Sequence, residues 1–350
     1  MNQDYHTHLK NTSVNNPELK LLLVFLLMLG SLFPAKAQKP SYPSAITVAQ
    51  DGSGDYTTIQ EAVNSVRDLG HKRVTISIKR GTYHEKLVVP SWKTNLTLIG
   101  ESLENTIITG KDFSGKTIPG GADAVGQEKF STYTSHTVLI QGNDIILENL
   151  TIENTAGRVG QAVALHVEGD RVVVRHCRLL GNQDTLYTAS ENSRQYYEDC
   201  YIEGTVDFIF GEATAVFQNC TIKSLTDAYI TAAATRPGHD FGYVFIDCTL
   251  IAAPSVEKVY LGRPWRPYAK TVFIRTQMEK HILPQGWDPW KGDEMFPDKE
   301  KTTFYAEYDS KGPGANPKAR TDWSQQLSAK EVKSYTLNNI FGNWDPMAVR

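Results

Sequence analysis

The sequence predicts an all-β fold, a parallel β-helix in which the chain winds into a solenoid. Two observations support this prediction: an internal repeat, whose copies follow one another at about two dozen residues, and the composition of each copy. Four copies align on a cysteine, in the stretches VVVRHCRLLG, QYYEDCYIEG, AVFQNCTIKS and YVFIDCTLIA. Each copy has a short β-rich run on both sides of the cysteine and little helical periodicity. A period of this length indicates a solenoid, and the short strands favour about three strands per coil.

The four aligned cysteines are expected to form a ladder, one per coil, about 4.8 Å apart. Neighbours in such a ladder approach disulfide distance, and four cysteines allow three complete pairings, between which the sequence does not choose. The pattern continues without cysteine at Asn149, before Cys177, and at Thr276, after Cys248. Each lies as far from its nearest cysteine as Cys220 lies from Cys248. A further copy is predicted earlier in the chain, around Asn95. The cysteines are Cys177, Cys200, Cys220 and Cys248.

The ends of a solenoid need covers, because an open end exposes core residues and unpaired strand edges. The stretch YTTIQEAVNSVRDLG predicts an N-terminal capping helix in which Thr58 and Glu61 have capping-box spacing and Gly70 stops the helix. Its apolar residues fall on one helical face. These are Ile59, Ala62, Val63 and Val66.

From about Pro284 onward the chain is rich in Trp, Pro and Gly, with one helical candidate, SAKEVKSYTLNNIF. A stretch of this composition does not continue the repeat of short strands. We therefore expect an irregular and partly helical C-terminal segment that packs along the side and end of the solenoid.

Residues 1–37 have the pattern of a secretory signal peptide that is removed. The uncharged apolar run LLLVFLLMLGSLF follows Lys10 and Lys20 and ends near the A-x-A cleavage motif AKA. The run is short for a membrane span, so we favour cleavage over the alternative of a retained anchor. The mature chain is then expected to begin near Gln38, to form a single domain over residues 38–350, and to be secreted or periplasmic.

The 350 residues include 40% hydrophobic and 21% charged residues, an ordinary globular composition. The formal net charge of −3 gives no argument for nucleic-acid binding. The sequence has no C-x-x-C pair and no ligand spacing typical of zinc, so we expect no metal and no cofactor. We expect a monomer.

Four places carry polar residues that the packing of a strand solenoid does not need. The step from Gln161 to Asp184 equals the step from Asp184 to Asp207, and each is close to one coil, so stacking brings these side chains to one face. Asp207 is expected on an outer strand, with its aromatic neighbours alternating between core and cleft. Arg263 lies about two coils further on and must reach back. The candidates are Gln161 in GQAVALHV, Gln183 and Asp184 in GNQDTLYT, Asp207 in GTVDFIFG, and Arg263 and Trp265 in YLGRPWRPY.

Two carboxylates in neighbouring coils do not both ionise readily, so their pKa values should separate into an acid and a base or nucleophile. A guanidinium is the natural partner of the ionised one. Each residue alone has a plainer interpretation. Asp184 suits a turn, Asp207 a structural ion pair, the two glutamines an amide ladder, and Trp265 simple packing. Their joint spacing on one face favours a catalytic site.

Together these stretches resemble the pectin methylesterases (pectinesterases) from about Ile46 to the C-terminus. The matching motifs are GTYHEK (81–86), QAVAL (161–165), QDTLY (183–187), GTVDFIFG (204–211) and LGRPW (261–265). The resemblance implies a right-handed parallel β-helix. It also implies cofactor-free hydrolysis of galacturonate methyl esters, with methyl-esterified pectin as the partner and pectate and methanol as products.

The resemblance also implies a role for each candidate residue. Asp207 would be the nucleophile toward the ester carbonyl, and Asp184 the acid for departing methanol and then the base for water. Gln183 would hold the oxyanion, and Gln161 would lie nearby, in substrate binding or in the same anion hole. Arg263 would hold Asp207 ionised and oriented. Two departures from the family pattern, His166 after QAVAL and Asn182 before QDTLY, affect expected substrate contacts rather than the chemistry. The substrate-contacting residues implied are Gln161, Arg263, Trp265 and Thr132.

Two other function classes are open to a β-helix with these residues: another type of pectin enzyme, and a non-catalytic binding protein. A pectin lyase would need a carboxylate cage for calcium, and a glycosidase would pair two acids across a glycosidic bond. A non-catalytic polysaccharide-binding solenoid would keep Trp265 but would not need Asp184 together with Asp207. The absence of a G-x-S-x-G motif gives no support to a serine hydrolase.

Overall fold

The computed structural model describes residues 42–348, so the predicted signal peptide and the predicted start near Gln38 lie outside the described residues. In this range the chain forms 26 strands and two short α-helices. The first thirteen strands are β1 (Ala45–Val48), β2 (Val74–Ile78), β3 (Gly81–His84), β4 (Leu87–Val89), β5 (Leu96–Gly100), β6 (Thr106–Gly110), β7 (Val138–Ile140), β8 (Ile146–Glu148), β9 (Thr151–Asn154), β10 (Leu165–Val167), β11 (Val172–Arg175), β12 (Arg178–Leu180) and β13 (Leu186–Thr188).

The second thirteen strands complete the solenoid and reach into the C-terminal segment. They are β14 (Arg194–Glu198), β15 (Tyr201–Gly204), β16 (Ile209–Gly211), β17 (Thr214–Gln218), β18 (Thr221–Ser224), β19 (Tyr229–Ala233), β20 (Tyr243–Ile246), β21 (Thr249–Ala252), β22 (Tyr260–Pro264), β23 (Lys270–Ile274), β24 (Gln277–Met278), β25 (Phe304–Tyr308) and β26 (Gln325–Gln326).

The strands form three sheets in which every strand pairing is parallel, and the fold is the right-handed parallel β-helix that was expected. Sheet I has eleven strands, from β1 to β26; sheet II has seven, from β4 to β22; sheet III has eight, from β3 to β24. From β2 to β24 the chain visits sheets I, III and II in turn, so each complete coil contributes one strand to each sheet. A residue therefore lies against the equivalent residue of the next coil.

The cysteine ladder is present, and all four of its members are buried free thiols. The pairing of Arg178 with Tyr201 places Cys177 level with Cys200, and the later registers continue the column. Thr276 lies in this column as predicted, because Thr249 pairs with Gln277. Each thiol donates to a backbone carbonyl of the core, as Cys248 does to Phe217 at 3.2 Å.

Two of the predicted repeat positions, Asn149 and Asn95, do not lie level with the cysteines. Thr151 pairs with Arg178, so Leu150 rather than Asn149 lies level with Cys177. The copy around Asn95 exists as β5, but Asn95 precedes that strand whereas Asn149 follows β8. The polar residues before the cysteines instead form a separate column.

This second column, which we term the corner column, lies at the turn from sheet I to sheet III. Its residues have left-handed φ values between 48° and 56°. From the first member to Arg275, their N–H groups donate to carbonyls of the next coil, as Asn219 does to Ile246 at 3.0 Å. Asp247 also accepts two hydrogen bonds from the guanidinium of Arg275. The members of the corner column are Asn149, His176, Asp199, Asn219, Asp247, Arg275 and Asp309.

The N-terminal end is covered by helix α1 (Ile59–Ser65), as predicted. The Thr58 hydroxyl accepts from the Glu61 N–H, and the predicted apolar face is buried. The prediction that Gly70 ends the helix was wrong, since the helix ends at Ser65. There the Nζ group of buried Lys93 donates to the carbonyls of Asn64 and Val66 and satisfies the end of the helix.

The C-terminal segment packs along the side and end of the solenoid, as expected. The helical candidate divides into a 3₁₀-helix, Glu331–Ser334, and helix α2 (Leu337–Phe341), because Thr336 caps a new helix by accepting from the Asn339 N–H. Ile340, Phe341 and Trp344 bury the outer face of sheet I. The segment also supplies strands β25 and β26, which the sequence did not predict.

A column of stacked rings lies within the core and continues into the cover at the C-terminal end. Neighbouring rings in it have centroids 4.4–4.7 Å apart between Tyr197 and Phe273. Trp287 and Tyr305 of the C-terminal segment extend this stack beyond the last coil. No helix within residues 42–348 has the length and apolarity needed to cross a membrane.

Candidate active site

Asp184 and Asp207 occupy the same position in adjacent coils, just before β13 and β16. The pairing of Leu186 with Ile209 sets this register and confirms the predicted one-coil spacing. Both aspartates have the left-handed backbone conformation, with φ values of 65° for Asp184 and 49° for Asp207. Residues other than glycine avoid this region unless surrounding structure holds them there, and such residues cluster at functional sites.

The stretch GTVDFIFG forms a corner rather than the expected outer strand. Strand β15 ends at Gly204 and β16 begins at Ile209, so Asp207 lies in the turn between sheets III and II. A Cβ atom at Gly204 would lie only 2.7 Å from the carbonyl oxygen of Asn182, so only glycine fits there. As predicted, the aromatics alternate: Phe208 is in the core cluster, and Phe210 faces the opposite side.

Arg263 reaches Asp207 from two coils away and forms a bidentate ion pair with it. Its Nε lies 2.9 Å from Oδ1 and its Nη2 lies 2.6 Å from Oδ2. The side chains of Arg263 and Asp207 are 18% and 10% exposed. Two parallel charge-assisted hydrogen bonds fix the orientation of the carboxylate as well as its charge.

Two aromatic rings hold the guanidinium of Arg263 in place. Its Cζ lies 3.9 Å from the ring centroid of Tyr229 and 3.6 Å from that of Trp290. Both distances are within the range of cation–π attraction. The arginine side chain therefore has little freedom to leave Asp207.

The two aspartates differ in the charge that their surroundings favour. The pKa of Asp184 is raised well above its usual range, first by burial and then by the negative charge of Asp207. Burial also raises the pKa of Asp207, but the hydrogen bonds and charge of Arg263 act in the opposite direction. Asp184 is thus the carboxyl group that retains a proton and Asp207 the one that ionises first.

The two candidate glutamines lie side by side in adjacent coils, Gln183 in the coil of Asp184 and Gln161 in the coil before it. Gln161 forms a parallel backbone bridge with Gln183, and the Ala162 N–H donates to the Gln183 carbonyl at 3.1 Å. Gln161 thus pairs with Gln183 rather than with Asp184, one residue off the predicted spacing. Both side chains are half-buried.

A wall of aromatic rings lies on the outer face of sheet II beside the aspartates. Tyr187 stacks on Phe210 with centroids 4.5 Å apart and an interplanar angle of 6°. Trp265 completes the wall, with its centroid 5.8 Å from that of Phe210. The ring of His166 lies 4.5 Å from Tyr187 on the other side. A flat apolar surface of this kind suits the faces of sugar rings.

Thr132 lies beyond this wall, in the 3₁₀-helix Thr132–Thr134. The ring of the next residue, Tyr133, is 5.6 Å from Tyr187. A cavity of about 490 Å³ opens there, with His166 and Glu168 among its lining residues. The structure therefore places Thr132 near the edge of the wall.

Sequence reasoning missed the residues that immobilise Arg263 and build much of the wall. Tyr187 and Phe210 lie inside motifs that were singled out for their aspartates. Tyr229 carries no motif, and Trp290 belongs to the Trp-rich segment assigned only to packing. A search for aromatic residues at the coil spacing would have found Tyr187 and Phe210, which repeat the step between the two aspartates.

Comparisons with known proteins agree on one family. A family model described as Pectinesterase matches residues 45–343. Pectinesterase 3 of Solanum lycopersicum is 40% identical over 315 residues, which cover 85% of this chain and 54% of that protein. Pectinesterase 31 of Arabidopsis thaliana is 38% identical over 298 residues, covering 84% and 91%. The structure of a pectin methylesterase from carrot has a TM-score of 0.77 and 33% identity, covering 89% of this chain and 98% of that one. The chain spans about half the length of several curated relatives that it matches.

Proposed function

Because this chain belongs to the pectinesterase family, we propose that it hydrolyses the methyl esters of galacturonate residues in pectin, giving pectate and methanol. The observation that carries this proposal is the bidentate Arg263–Asp207 pair one coil from the buried Asp184. A fixed carboxylate beside a protonated carboxylic acid is an arrangement suited to attack on an ester.

In the first half of the proposed reaction, an Asp207 oxygen attacks the ester carbonyl carbon and forms a tetrahedral intermediate. The side-chain amides of Gln183 and Gln161 donate hydrogen bonds to its oxyanion. The bond to the methoxy oxygen then breaks, and Asp184 gives its proton to that oxygen, so that methanol leaves. An acyl-enzyme remains on Asp207.

In the second half, Asp184 is ionised and takes a proton from water, which attacks the acyl carbon. Collapse of the second intermediate releases galacturonic acid and restores ionised Asp207 and protonated Asp184. The product acid then gives its remaining proton to solvent and becomes the carboxylate. Arg263 holds Asp207 in position in both halves, and the raised pKa of Asp184 suits its return to the acid form.

For the substrate, we propose methyl-esterified homogalacturonan lying along the aromatic wall, with a sugar ring against Trp265. Thr132 and the cavity beside Tyr187 would contact sugar residues further from the reacting ester. We also propose that the protein is exported to the periplasm or the medium, where pectin is reached, and acts as a monomer.

A product assay tests the proposed function. The mature protein is incubated with highly methylated pectin, and methanol, unsaturated sugar and new reducing ends are measured together. Methanol alone is the expected result. Unsaturated product would indicate a lyase, new reducing ends a glycosidase, and pectin binding without any product a non-catalytic solenoid, and each of these would overturn the proposal.

A further inference from the structure

Lys299 is a buried lysine in the loop beside the candidate site. It begins the 3₁₀-helix Lys299–Lys301, and its side chain has no exposed surface. Its Nζ lies 2.6 Å from Oδ2 of Asp293, which is its hydrogen-bond partner. A buried ammonium group is costly unless it is paired, so its presence here calls for a reason beyond filling space.

The ammonium group of Lys299 also contacts the indole ring that holds Arg263. Its Nζ lies 4.3 Å from the ring centroid of Trp290, while the guanidinium carbon of Arg263 lies 3.6 Å from the same centroid. One indole ring thus interacts with two cations, both within cation–π range. These contacts form a continuous chain that ends at the carboxylate of Asp207. Its members, in order, are Asp293, Lys299, Trp290, Arg263 and Asp207.

We propose that Lys299 is a positioning residue for the esterase reaction, which holds Trp290 against Arg263 and adds a second positive charge near the Asp207 carboxylate. This inference rests on the proposed function of the same site. It assigns a role in the reaction to a lysine that is distant from Asp207 in sequence, in a segment that sequence analysis assigned only to packing.

The charges around Asp207 make this contribution measurable. Burial, and to a smaller degree the charge of Asp288, raises the pKa of Asp207, whereas Arg263 and then Lys299 act in the opposite direction. Asp184 lies one coil away. Around Lys299 itself, burial and the charges of Arg266 and Arg263 lower the lysine pKa, and the contact with Asp293 raises it. Removing the Lys299 charge should therefore make Asp207 harder to ionise.

The test compares Lys299→Met, which keeps most of the side-chain volume, with Lys299→Arg, which restores a cation. For Lys299→Met we expect the acidic limb of the kcat/KM profile to move to higher pH, with a loss of about threefold on that limb. KM should change little, because the lysine is buried, and Lys299→Arg should recover most of the loss. The control is Lys291→Met, a lysine of the same loop that is 65% exposed and pairs with Glu300.

A second measurement does not depend on activity. The ionisation of Asp207 is followed by NMR of aspartate labelled with ¹³C at Cγ, with Asp207→Asn to assign the resonance. We expect its midpoint to be higher in Lys299→Met than in the wild type, Lys299→Arg and Lys291→Met. An unchanged midpoint in folded Lys299→Met would overturn this inference, whether or not the enzyme is active. A wild type that releases no methanol would instead overturn the proposed function.

Discussion

Asp184 and Asp207 have equivalent backbone positions, yet only Asp207 has a guanidinium partner. This difference assigns the proposed roles, and it is tested by removing each part of the ion pair. We predict that Asp207→Ala lowers methanol release by about 10⁴-fold or more. Arg263→Lys should lower kcat by about 10²-fold, since a lysine does not hold a carboxylate through two parallel bonds. Methanol is measured by a coupled assay, and far-UV circular dichroism confirms the fold. Substantial activity in Asp207→Ala would exclude it as the nucleophile.

Asp184 also links the proposed acid role to stability. Its pKa is raised in the folded protein, so the folded state holds a proton that the unfolded chain releases near pH 4. The stability due to this proton is complete below about pH 4 and is lost as the pH rises through the raised pKa. We predict that Asp184→Asn is more stable than the wild type at pH 7 to 8 and that this gain disappears below about pH 4.

Guanidinium unfolding at both pH values measures the effect of Asp184→Asn. Asp322→Asn, at an exposed aspartate, serves as the matched control and should show no such pH-dependent gain. A loss of stability at neutral pH in Asp184→Asn, or an equal gain at both pH values, would contradict the prediction. The asparagine variant is also expected to lose activity, since an amide cannot supply the proton to methanol.

At the scale of the element, the corner column explains why each coil turns at the same place. Its left-handed residues cost about 1–2 kcal/mol each unless the side chain suits that conformation, and Asn suits it best after Gly. We predict that Asn219→Ala lowers the free energy of unfolding by about 1 kcal/mol. His176→Asn should raise it by about 0.5 kcal/mol, since the exposed pair between His176 and Asp199 contributes little.

Denaturant titration of both corner variants provides the measurement. The opposite signs expected at equivalent positions serve as an internal control, because a general sensitivity of the corner to mutation would destabilise both proteins. Destabilisation of His176→Asn by as much as Asn219→Ala would mean that backbone conformation does not govern this column.

The same column shows why sequence predicts the coils better than the site. The cysteines and corner residues recur because every coil makes the same turn, so the fold class and the one-coil step between Asp184 and Asp207 can be read from spacing. Trp290 and Lys299 belong to a loop outside the repeat, and only tertiary structure brings them to Arg263. The error of one residue in the predicted partner of Gln161 has a similar cause. The register of the bridge between Gln161 and Gln183 differs by one residue from that of the following pair of strands, β10 and β13.

For the whole molecule, helix α2 and Trp344 cover the outer face of sheet I. The candidate site lies on sheet II and is contacted by an earlier loop of the C-terminal segment, through Trp290. Stability and activity are therefore expected to separate. Phe341 is 1% exposed and packs on Tyr196 and Trp344. We predict that Phe341→Ala lowers the free energy of unfolding by about 3 kcal/mol and leaves kcat/KM at 25 °C unchanged.

Unfolding curves and methanol assays on the same preparations test this separation. Met295→Ala, at a side chain that is 77% exposed, is the control and should change stability by less than about 0.5 kcal/mol. A parallel loss of kcat/KM in Phe341→Ala would mean that the outer layer of sheet I supports the geometry of the site.

The four buried thiols of the cysteine ladder have a practical consequence for production and storage. Because no covalent cross-link holds the described coils together, folding needs neither an oxidising compartment nor a disulfide isomerase. We predict the same melting temperature with and without dithiothreitol, and equal yields from reducing and oxidising expression hosts.

Heating in air is expected to have a different effect, because thiols that are shielded in the native coil become oxidisable once the chain unfolds. Recovery after heating should therefore be higher when a reductant is present.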